Sequence, residues 1–180
     1  MLNLYRLSET AAAWAARAGA LCALLAGLIT CADIVIRHAG GEGIIGTVDI
    51  TQMMIVATAF LTIPYGFIAD SHVAVDIGVE RLPFRLQALC RAFAALLGAL
   101  LMAAMGWYGL GQFETVAMMG DRSQTIGWPM TWFWYPLLAG AFFAALMAVA
   151  VMLRHLAAAV TGRDPAPAAT PPALDGEVVP

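Results

Sequence analysis

The chain has 180 residues and a formal charge of −3; 62% of it is hydrophobic, 12% is charged, and its mean hydropathy is +0.81. A soluble domain is about one quarter charged, so half that share excludes an ordinary water-soluble fold and points to a membrane protein. The small negative charge gives no footprint for a nucleic-acid partner.

Charge-free runs mark the spans in chain order. No Asp, Glu, Lys or Arg interrupts Arg17 to Asp33, Asp49 to Asp70, Arg91 to Glu114 or Arg122 to Arg154. About 20 apolar residues cross a bilayer as helix, and backbone groups in lipid must bond internally. The expected fold is all-α and integral to the membrane, with spans near 14–36, 48–68, 88–113 and 129–153 in a membrane domain over 14–155. The first run is short, but Arg17 can snorkel to the interface and the apolar pattern continues through Ile34, Val35 and Ile36. Asp33 and Arg37, four apart, can pair on one helix face. This run outlasts the apolar part of a secretion signal, which is about 7–15 residues. A retained helix is expected.

The arginines set the topology. Arg6, Arg17, Arg81, Arg85, Arg91, Arg154 and Arg163 fall on one side of such a bundle, and only Arg37 and Arg122 on the other. Basic residues favour the cytoplasm, so both termini are expected there. Residues 1–13 then form a cytoplasmic N-terminal segment and 69–87 a cytoplasmic loop. The proline-rich stretch 156–180 reads as a disordered cytoplasmic tail. In that loop, Val75, Val79 and Leu82 share a helical face, and Pro83 ends it. A short interfacial helix after the second span is expected. Trp107, Tyr108 and Phe113, with Trp128, Trp132, Phe133, Trp134 and Tyr135, form an aromatic belt at the outer face.

Small residues recur at four-residue spacing: Ala15, Gly19, Ala23, Gly27 and Cys31; Ala95, Ala99 and Ala103; Gly140, Ala144 and Ala148. Such stripes let helices approach closely in lipid, within the chain or against another subunit. Cys22, Cys31 and Cys90 contain no Cys-x-x-Cys and are expected to be small buried residues rather than a redox pair.

Catalytic chemistry finds no support. His38, His72 and His155 lie at span ends or in loops, unsuited to haem. No metal-ligand spacing occurs, and Ser71, His72 and Asp76 sit in one short loop with no oxyanion hole. No span carries a charge near its centre, which argues against a transport pathway through this chain alone. No catalytic, cofactor, metal or substrate residues are expected.

Three passages carry a family resemblance: "VDITQMMIVATAFLTIPYGF" (Val48–Phe67), opened by an acidic residue; "SHVAVDIGVERLP" (Ser71–Pro83); and "SQTIGWPMTWFWYPLLAG" (Ser123–Gly140). Together, in order over roughly 15–155, they resemble the small membrane (Q) subunit of tripartite ATP-independent periplasmic (TRAP) transporters. The departures are Asp49, where that family more often has Glu, and Asp70, where it more often has a basic residue. The resemblance implies a non-catalytic helper in a bacterial inner membrane. Its partners would be a large multi-span permease subunit, a periplasmic solute-binding protein and membrane lipid. The solute would be a small carboxylate, its uptake coupled to sodium. Partner-contact candidates are Asp49, His72, Asp76, Arg81, Arg85, Arg122, Trp128, Pro129 and Trp132. Two alternatives are a membrane anchor of a redox enzyme and the small subunit of a tripartite tricarboxylate carrier.

Overall fold

A computed structural model describes residues 2–69 and 83–162. The expected interfacial helix and residues 163–180 of the expected tail lie outside the described residues; residues 156–161, expected to begin a disordered tail, instead continue the last helix, whose apolar run carries on past Arg154. Four helices follow in order: α1 (Leu2–His38), α2 (Thr47–Ile68), α3 (Phe84–Met119) and α4 (Thr131–Thr161). All four are long and apolar enough to cross a membrane. Among the described residues there is no strand, only an isolated antiparallel bridge between Arg122 and Pro129.

The helix ends follow local chemistry. Arg37 and His38 fill the last turn of α1, where cations meet the negative end of the helix dipole. Asp49 lies in the first turn of α2, where a carboxylate is favoured. Pro83 stands just before α3, and left-handed Gly120 and Gly162 end α3 and α4. The helices differ in length. With 22 residues, α2 rises about 33 Å, close to the hydrocarbon thickness of a bilayer. With 36 residues, α3 rises about 54 Å. α1 begins at Leu2, well before the crossing expected at 14.

α1 packs on α2, α2 on α4, and α4 on α3; other pairs make only slight contact. The helices thus stand in a row, α1–α2–α4–α3, with α1 and α3 at its ends. Their seams are built from small side chains. On α3 the buried residues are Ala88, Ala92, Ala95, Ala99, Met102, Gly106 and Gly109, stepping alternately by four and three. On α4, Ala141, Ala144, Ala148, Val151, His155 and Ala158 step in the same way. That repeat averages 3.5 residues and keeps one seam facing its partner, as in a coiled coil. On α1 the buried positions Ala12, Gly19, Ala26 and Asp33 are seven apart.

The four-residue stripes therefore hold only in part. Gly140, Ala144 and Ala148 are buried, as are Ala95 and Ala99, but Ala103 is exposed. On α1, Gly19 is buried while Ala23, Gly27 and Cys31 are exposed. The reason is geometric: each four-residue step overshoots a 3.6-residue turn, so a long stripe winds off the contact line. The cysteines need the same correction. All three are free; Cys22 is half-buried, and Cys31 and Cys90 are exposed. In lipid, a small apolar side chain has no need of the protein interior.

Close backbone approaches fix the row. A Cβ on Gly140 would lie 2.3 Å from the Phe60 carbonyl oxygen. One on Gly19 would lie 3.1 Å from the Thr58 carbonyl oxygen, and the Thr58 hydroxyl in turn reaches the Gly19 carbonyl at 3.0 Å. Phe67, near the end of α2, reaches across to Gly98 of α3. Outside the seams, large side chains such as Leu24, Leu28, Leu97, Leu100 and Leu153 are exposed. Arg17 lies over the Trp14 ring, 4.9 Å from its centroid, which gives the cation an aromatic neighbour near the start of the first span.

The α1–α2 connection is held by Asp33. Its Oδ2 accepts from Arg37 Nε at 2.8 Å, the expected pair, and its Oδ1 accepts from the Ile44 backbone N–H at 2.6 Å. One carboxylate thus ties the end of α1 to the segment that enters α2.

Two outcomes are expected. Gly140→Leu forces α2 away from α4 and costs about 1–3 kcal/mol, read as a lower unfolding midpoint in detergent; an unchanged midpoint would mean the helices do not meet there. Asp33→Ala speeds hydrogen–deuterium exchange at the Ile44 amide. Arg37→Ala leaves that amide close to wild type, because Arg37 uses the other carboxylate oxygen.

Candidate functional site

At the end of the row that carries residues 39–46 and 120–130, the two connections meet in a polar junction. Gly46 caps α2 at φ +87. That conformation favours glycine, and a Cβ there would also lie 2.3 Å from Ile126 Cδ1. The chain can enter α2 against the 120–130 loop only with a glycine at this point.

One turn later, Asp49 is 7% exposed. Its Oδ2 accepts from the Ser123 hydroxyl and, at 3.1 Å, from the Ile126 backbone N–H. The same N–H is shared with Ser123 Oγ at 3.3 Å. Ser123 is itself buried, so donor and acceptor satisfy each other away from solvent. The arrangement is local in space and remote in sequence.

The loop's shape comes from its own backbone. Ser123 N–H donates to the Trp128 carbonyl at 2.8 Å, Met130 N–H to the Asp121 carbonyl at 2.9 Å, and Gly127 N–H to the Ser123 carbonyl at 3.2 Å. Arg122 Nη1 donates to the Gly127 carbonyl at 3.2 Å. The result is a small hairpin whose base is the Arg122–Pro129 bridge. Beside it the Trp128 and Trp132 rings lie 5.7 Å apart. The Phe113 and Tyr135 rings meet edge to face at 5.6 Å and join α3 to α4.

Of the candidate residues, Asp49, Arg122, Trp128, Pro129 and Trp132 gather at this one end. Asp49 faces inward onto the loop; Arg122 and Pro129 are exposed, and Trp132 is 48% exposed. Arg85 stands at the opposite end, exposed, with its guanidinium beside Gly162 at the close of α4. His72, Asp76 and Arg81 lie outside the described residues. Sequence reasoning assigned no role to Gly46, Ser123 or Ile126. Ser123 and Ile126 fall within the third passage of the resemblance, but no spacing rule joins them to Asp49.

At this junction the Asp49 carboxylate is engaged by the Ser123 hydroxyl and the Ile126 N–H, and the Asp33 carboxylate by Arg37 and the Ile44 N–H. Among the described residues, no group of His, Cys, Asp and Glu is placed to hold a metal ion. His155, expected at a span end, is 2% exposed within the α4 seam.

A family model described as "Tripartite ATP-independent periplasmic transporters, DctQ component" matches residues 26–158. No curated protein and no solved structure matches the chain. The matched region takes in the last third of α1, all of α2 and α3, and α4 almost to its end, with both junction loops between them. The chain is a multi-pass membrane protein and belongs to the DctQ component family of tripartite ATP-independent periplasmic transporters.

Proposed function

We propose that this chain is the non-catalytic small permease subunit of a TRAP-type secondary importer in a bacterial inner membrane. It braces a large multi-span permease subunit. That partner moves a small solute, a carboxylate, inward with sodium after a periplasmic binding protein delivers it. Both termini lie in the cytoplasm, so the Asp49 junction faces the periplasm. Arg85, with His72, Asp76 and Arg81, lies on the cytoplasmic side, where it meets lipid headgroups or the large subunit.

One observation carries this reading: the row of helices closes its seams with Ala and Gly while leaving long apolar flanks on both sides. Where Gly140 meets the Phe60 carbonyl, there is no room for a solute between α2 and α4. Asp33, Arg37 and Asp49 stand near helix ends and are bonded within the chain. A pathway for an ion or a carboxylate needs polar groups at mid-membrane, and the larger partner supplies them. The flanks suit lipid on one part and that partner on another.

Co-expression with neighbouring genes should recover a large multi-span permease bound to this chain. Proteoliposomes holding that permease, its binding protein and this chain should take up solute, and omitting this chain should abolish most of the uptake. Equal uptake without it would remove the bracing role.

A further inference from the structure

Asp49 was a candidate for partner contact, yet its carboxylate is buried and turned toward the 120–130 loop. Everything it touches holds that loop against the start of α2. Gly46 makes the same approach from the backbone, with no space for a side chain against Ile126. The loop in turn exposes Asp121, Arg122, Gln124 and Thr125, a polar rim unlike the apolar helix flanks. Such a rim suits a water-borne protein rather than lipid tails.

We infer that Asp49 is a positioning residue: by holding Ser123 and Ile126, it keeps the 120–130 loop in the shape that receives the periplasmic solute-binding protein. This rests on the chain being the small subunit of a TRAP-type importer. Asp49 itself stays covered by the loop and acts through it. Losing the carboxylate leaves the Ser123 hydroxyl and the Ile126 N–H without their shared acceptor, and the loop then samples other shapes. A partner that needs one shape is bound more weakly by the fraction of time the loop spends elsewhere.

The test has two readouts. On the purified chain, Asp49→Ala should speed hydrogen–deuterium exchange of the Ile126 amide by about tenfold or more, as expected for losing bonds to a charged acceptor. Ser123→Ala, a milder change, should speed it less. In proteoliposomes with the permease, Asp49→Ala should raise the binding-protein concentration needed for half-maximal uptake several-fold and leave the maximal rate and permease co-purification near wild type. Asp49→Glu keeps a carboxylate and should recover part of the affinity. Unchanged exchange would overturn the loop-holding role. Faster exchange with unchanged half-saturation would overturn the docking role, as would a lower maximal rate or lost co-purification. If the wild-type chain binds no permease, the functional reading itself fails, while the exchange result still reports on the loop.

Discussion

In lipid, helices gain little from hiding apolar side chains, because the solvent is as apolar as they are. They hold together where their backbones come close enough for dispersion and for short polar contacts. Gly140 against the Phe60 carbonyl, and Gly19 against Thr58, are the points where α2 is gripped from its two neighbours. With α2 fixed between α1 and α4, the row forms, and α3 follows through its Ala- and Gly-lined seam with α4. The position of Asp49 relative to the loop depends on that same grip, since its carboxylate can reach Ser123 only if α2 and α4 stand close.

Much of the architecture was legible because it rests on short-range rules. Charge-free runs revealed four helices, since a charge inside lipid is costly. The Asp33–Arg37 pair could be read from four-residue spacing on a helix. Finer packing was harder to read. Small residues at every fourth position looked like contact faces, but the helix turns every 3.6 residues, and contact followed the alternating three-and-four steps instead. Gly27 shows the difference: it belongs to the four-residue stripe, yet a Cβ there would meet nothing within 4 Å.

The junction was nearly invisible for another reason. Asp49 and Ser123 are 74 residues apart, and their meeting depends on two helices and a hairpin all being in place. No periodicity encodes such a contact. The acidic residue at the start of the second span stood out, but its bonding partners did not. The fold places Arg122, Trp128, Pro129 and Trp132 together because the hairpin brings the end of α3 back to α4. Arg85 stands at the far end.

The short length of α2 has a consequence of its own. Its neighbours have turns to spare and can accommodate a thicker or thinner bilayer by leaning or by letting their ends stand in water. α2 rises about 33 Å, and its start is fixed by Gly46 and Asp49, so it has little slack. A membrane much thicker than this would have to thin around the middle of the row or draw the polar junction into lipid. Each choice costs a fraction of a kcal/mol per Å of mismatch. The subunit therefore carries, in one helix, a gauge of the bilayer in which it sits comfortably.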